Sequence, residues 1–240
     1  MGKKVKYWSC FRLTIICLFL SVVAVGCGVT RTAQLPAIVD NQLYRNYPPL
    51  NSEQVDSLLL IYATNKIFVE EFLEPTLIAL SHYPELKETK IEFKYSAEAT
   101  TMAARPKPLS MLWRRRYIVL INDREEFGGI HLEDVPYNAQ IGIIGHELAH
   151  IADYENHNLA GVMGILFRYA DKKRKPLFEK EIDRATIERG LGWQLYDWAA
   201  FSLSDESGAT EEYREFKRQH YLTPEQIEQY ILFFSSFGVE

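Results

Sequence analysis

Two histidines stand four residues apart, His146 and His150, with Glu147 directly after the first. On a helix, residues i and i+4 project from one face a turn apart, so both imidazoles can reach a single ion. Neutral imidazole nitrogen suits zinc, and Zn2+ is the expected cofactor. Glu147, one position on from His146, can reach a water on the ion without ligating the ion itself. There it would act as general base, taking a proton from a water whose pKa the metal has lowered to about 7. The flanks Ile141-Gly142-Ile143-Ile144-Gly145 and Leu148-Ala149-His150-Ile151-Ala152 are apolar and free of proline, as a buried helix requires. The competing reading is a pair of hydrogen-bonded histidines on a core helix.

Two histidines leave such a site short, because a catalytic zinc takes three protein ligands and keeps one position open. His157 lies seven residues past His150, about 10 Å further along a helix, and cannot share the ion unless the helix breaks. A third histidine in the metzincin register is excluded, since Asp153 and Asn156 stand where that pattern needs Gly and His. The His-Glu-x-x-His run instead resembles the gluzincin zinc peptidases, in which Glu-x-x-x-Asp follows downstream. Among the aspartates after the motif, only Asp183 has a glutamate four residues before it, in Glu179-Lys180-Glu181-Ile182-Asp183. The resemblance, which covers roughly residues 115–200, implies that Glu179 ligates the metal and that Asp183 orients one of the ligand histidines. On a helix the two acids share a face, and carboxylates that hold a ligating histidine are the rule at zinc sites. The alternative is that both merely decorate the first turn of a helix, where the dipole favours acids.

The same resemblance implies hydrolysis of a peptide or protein substrate and a Tyr or His that stabilises the transition state. Tyr154, Tyr169, His157, His220 and Tyr221 are the candidates. It further implies an extended substrate lying along a sheet edge near the metal, for which the strand at 117–121 is the candidate. A buried core strand is the equal reading of that segment.

The elements that must position these residues are legible in the spacing. Residues 52–81 carry helical periodicity, with Pro75 expected to kink or split the helix. Ile91, Phe93 and Tyr95 alternate with Glu92 and Lys94, a half-buried strand. Residues 100–112, with Pro106 and Pro108, read as a loop, 117–121 as a strand, and 127–132 as a turn leading to a short strand. Pro136 opens a helix expected to run to about Asn156. Helices follow over 159–172, 177–203 and 209–220. The last helix starts at Thr223-Pro224-Glu225-Gln226, a capping-box signature. The expected class is α+β: a mostly helical zincin-like metallopeptidase domain with a small β-sheet preceding the active-site helix.

Residues 1–26 have the layout of an export signal: basic residues Lys3, Lys4, Lys6 and Arg12, an apolar run from Leu13 to Val25, then small residues. The segment resembles a bacterial lipoprotein signal, which makes Cys27 the expected lipidation site. The remaining cysteines, Cys10 and Cys17, lie in this leader, so the domain beyond residue 27 can form no internal disulfide. Residues 27–51, with Pro36, Pro48 and Pro49, read as a lipidated N-terminus and extended tether, and 52–240 as the metallopeptidase-like domain. Removing four leader cations takes the net charge from −5 to −9, a poor match for nucleic acid. The expectation is a membrane-tethered zinc metallopeptidase of the bacterial cell envelope, held by its N-terminal lipid anchor. A non-catalytic envelope lipoprotein that keeps a structural or vestigial zinc site is the alternative, and an amidase on cell-wall peptide a third reading.

Overall fold

The computed structural model describes residues 45–107, 110 and 115–237. The leader and Cys27 lie outside the described residues. The described chain is α+β, mostly helical, with one four-stranded sheet. None of its helices is long and apolar enough to cross a membrane.

The periodic segment 52–81 is two helices. α1 (Ser52–Tyr62) ends in a turn through Asn65, which takes a positive φ of 64°, and the chain then forms the short strand β1 (Lys66–Ile67). α2 (Leu73–Ser81) follows. The break precedes Pro75, which sits in the first turn of α2, where its missing N–H removes no helical bond. The expected alternating strand is β2 (Lys90–Tyr95), with Ile91 and Phe93 buried. β3 (Met102–Pro106) occupies a segment expected to be a loop, and β4 (Arg116–Ile121) is the expected apolar strand. The sheet order is β1-β2-β4-β3: β1, β2 and β4 run parallel, and β3 pairs antiparallel to β4. β4 therefore has a partner on both sides and offers no free edge for substrate. The free edge beyond it belongs to β3. The expected short strand near 132 is instead a single tight helical turn at Leu132–Asp134.

α3 (Tyr137–Asn156) is the central helix. From Ile141 to Ala152 every residue is buried, because α2, β3 and two later helices pack against it on different sides. A helix apolar all round reads as a core helix, and here it carries His146, Glu147 and His150 into the interior. α4 (Leu159–Ala170) and α5 (Lys175–Thr186) follow. The long helix expected over 177–203 is interrupted at Ile187–Leu191, where Gly190 adopts φ 86°, a left-handed value that glycine takes without Cβ strain. α6 (Gly192–Leu203) then runs against α3. The approach is close: a Cβ on Gly142 would lie 2.2 Å from the backbone oxygen of Gln194. α7 (Glu211–His220) and α8 (Pro224–Phe237) complete the fold. The capping box before α8 forms as expected, with Thr223 N–H donating to Gln226 Oε1 and Gln226 N–H to Thr223 Oγ1.

Residues 45–50, assigned from composition to the tether, are docked on the domain. Arg45 forms a two-pronged ion pair with Asp197, the Tyr47 hydroxyl meets His82, and Leu50 N–H donates to Glu74.

Candidate metal centre

His146 and His150 lie on one face of α3, ring centroids 4.9 Å apart. α5 crosses this face and presents Glu179 and Asp183, both almost fully buried. Glu179 Oε2 lies 3.3 Å from His146 Nε2 and 3.2 Å from His150 Nε2. These three side chains form the one His/Cys/Asp/Glu cluster among the described residues whose donor atoms all converge, within 4.8 Å of one another. Two donors each about 2.0–2.1 Å from a tetrahedral ion stand about 3.3–3.4 Å apart. The measured separations match that spacing. Glu179 Oε2 is also buried without a well-aligned hydrogen bond, its near neighbours being those two imidazole nitrogens, so a proton or a cation must occupy the space between them. The donor set and its geometry thus fit a single small divalent cation held by His146, His150 and Glu179.

Asp183 braces the cluster from behind. Its Oδ1 lies 2.8 Å from His146 Nδ1, and its Oδ2 accepts the Leu222 N–H at 2.8 Å. With Nδ1–H donating to Asp183, Nε2 of the neutral ring turns its lone pair toward the cluster. The Thr223 capping box fixes the chain next to Leu222, so the start of α8 helps to hold the carboxylate. His150 Nδ1 has no such partner.

The electrostatics follow from this crowding. Burial alone would lower the His146 pKa, but Asp183 and Glu179 together outweigh it and raise it to about 10. Burial alone would raise Glu179; the two imidazoles reverse this and hold its carboxyl well below the usual range. Without a cation the cluster therefore keeps a proton among these groups.

The chain matches no family model, no curated protein and no solved structure.

Glu147, also buried, lines a narrow, partly open cleft together with His146, Asp183 and Tyr221. Thr100, Thr101 and Met102, which lead into β3, form one wall. Asn122 N–H donates to Thr101 O and Lys107 N–H to Arg116 O. By the alternation of an antiparallel pair, residues 101, 103, 105 and 107 face β4, while 102, 104 and 106 turn their backbone groups to the free edge. Ala104 thus offers both an N–H and a C=O there.

The remaining sequence candidates separate. Tyr221 lies edge-on to His146 at 5.6 Å and lines the cleft. Burial first, then the charges on Glu179 and Glu147, keep the Tyr221 and Tyr169 phenols protonated. Tyr154 is buried, stacked on His150 and Tyr117. His157 caps the end of α3, its Nδ1 meeting Asp153 O and its own carbonyl accepting from Arg115, so it contributes nothing to the cluster. His220 meets the Phe216 carbonyl and lies against that ring. Glu181 points outward to Arg168 at 2.6 Å. Sequence reasoning missed Lys217, a nearly buried cation lining the cleft. Its only signal was the i, i+4 spacing from Tyr213 on an otherwise polar helix.

Proposed function

We propose that this chain is a zinc-dependent metallopeptidase of the gluzincin type, built on a zincin-like domain. The observation that carries the reading is Glu179 Oε2, buried without a well-aligned hydrogen bond and at tetrahedral-ligand distance from two imidazole nitrogens. A zinc ion held there would supply Lewis acidity, polarising a carbonyl and acidifying water. Glu147 sits beside His146 in the cleft, placed to accept a proton from water and return it to a leaving amine. Asp183 holds His146 in one tautomer and one orientation. Tyr221, a protonated phenol in the same cleft, is the hydrogen-bond donor best placed to meet an oxyanion. The β3 edge can take an extended peptide by strand addition through Ala104.

A purely structural zinc site is closed by four protein ligands. Three converging donors beside an open cleft favour catalysis over the binding-only alternative. Export, lipidation at Cys27 and attachment to the cell envelope complete the proposal and rest on the leader sequence. The test is cleavage of a peptide library by the zinc-loaded chain. Cleavage should vanish on chelation and in Glu147→Gln with the fold intact. A zinc-loaded wild type that cleaves nothing overturns the peptidase reading.

A further inference from the structure

The cleft beside the metal cluster contains a cation that the proposed chemistry does not use. Lys217 projects from α7 and is only 8% exposed. Its Nζ lies 3.6 Å from the centroid of the Tyr221 ring and 4.9 Å from that of Trp198. Among the described residues it forms no ion pair within 4.0 Å and no side-chain hydrogen bond. An ammonium has three donors and no acceptor; Nζ keeps contact with the open cleft, but covering the rest of the side chain without a protein partner for those donors carries a penalty. Ring faces offset part of that penalty without taking a donor.

The acids nearby are committed elsewhere. Asp183 accepts from His146 and from Leu222 N–H, and Glu179 faces the two imidazoles. Burial pulls the Lys217 pKa down to about 8, and the charges of Asp183, Glu179 and Glu147, acting at longer range, offset this only in part. Around Lys217 stand the Trp198 and Tyr221 rings, and the cleft they share mixes apolar Leu195 and Ala199 with hydroxyl-bearing Ser202 and Thr223. An unpaired cation flanked by two aromatic faces in such a cleft selects an anionic group that can reach it.

We infer that Lys217 is a specificity residue that binds a carboxylate of the substrate, either the free C-terminus or an acidic side chain, one cleft's width from the metal cluster. The inference deepens the peptidase reading and rests on it for the word substrate; the carboxylate pocket itself does not need hydrolysis. Arg218, which lines the same cleft, is already paired with Glu211 and Glu215, so it does not compete for the role.

The test uses the full chain, zinc-loaded and carrying Glu147→Gln so that binding is read without turnover. The probes are acetylated alanine tetrapeptides in matched pairs: free carboxylate against carboxamide terminus, and Glu against Gln at each position. One pair should show the anionic member binding about 30-fold more tightly, the scale for a desolvated charge contact. Which pair shows it tells a terminal from a side-chain carboxylate. Lys217→Met should reduce the gap to about threefold or less, and Lys217→Arg should restore most of it. A gap that is absent with Lys217 present, or that survives Lys217→Met, overturns the assignment. Should Lys217→Met fail to fold, Trp198 fluorescence decides. The anionic probe should shift the emission, with no shift in Trp198→Phe, and no Trp198-dependent shift overturns the assignment. Cleavage by the unmodified chain is measured alongside. A gap without cleavage supports the carboxylate pocket and sinks only the peptidase reading.

Discussion

Replacing Asp183 with asparagine keeps an oxygen near His146 Nδ1 and removes its charge. In the metal-free protein, Asp183 and Glu179 raise the His146 pKa to about 10 against the opposing effect of burial. At pH 7 that proton must leave before zinc can take Nε2. Zinc binding should thus release about one proton per ion at pH 7, and apparent affinity should rise about tenfold per pH unit toward pH 10. A histidine of ordinary pKa is only about a quarter protonated at pH 7 and would release about that fraction. Asp183→Asn should move the chain toward this limit, flatten the pH slope, and weaken zinc about 10–100-fold above pH 8 through lost orientation. The linkage has a definite sign. A raised folded-state pKa stabilises the metal-free domain fully below about pH 6.5 and ceases to do so as pH rises through about 10. Calorimetric zinc titrations at pH 7 and 8, each in two buffers of unequal ionisation enthalpy, count the protons. Wild type releasing a quarter of a proton or less, or wild type and variant releasing equal numbers, refutes the reasoning.

Two further outcomes follow from packing and register. Gly142→Ala should destabilise the fold by about 3 kcal/mol in thermal denaturation, because its Cβ would meet the Gln194 backbone and α3 must part from α6. Gly164→Ala, where a Cβ meets nothing within 4 Å on α4, should be neutral or slightly stabilising, and equal losses at both sites would count against the close contact. Glu181→Ala should keep zinc and change stability by less than about 1 kcal/mol, since Glu181 forms only an exposed pair with Arg168. Zinc loss in that variant would shift the third ligand by two residues.

The cluster was legible in the sequence to the extent that helix geometry alone decides it. His146 and His150 share a face of any α-helix, and Glu179 and Asp183 do likewise, so both pairs could be assigned without knowing how α3 meets α5. That they meet each other is a tertiary fact; it entered as a family resemblance, and the 2.8 Å contact from Asp183 to His146 now gives it a structural basis. β3 was hidden by its own composition. Pro106 argues against a strand, yet it falls on an outward-facing edge position, where a missing N–H removes no ladder bond. The break in 177–203 depends on Gly190 taking φ 86°, and glycine alone does not announce its backbone angle. Lys217 was illegible for a different reason: on a helix rich in charge a lysine reads as solvated, and it is tertiary packing, with Tyr221 and Trp198 over its ammonium, that buries it.

Metal content of the purified full chain and four variants, His146→Ala, His150→Ala, Glu179→Ala and Glu147→Gln, tests the central claim most directly. The geometry predicts one zinc per chain in the wild type and in Glu147→Gln. It predicts severe loss in each of the other three, all folded by circular dichroism, because each removes one of three converging donors. Full zinc in Glu179→Ala, or zinc lost from Glu147→Gln to the same degree as from His146→Ala, would contradict it.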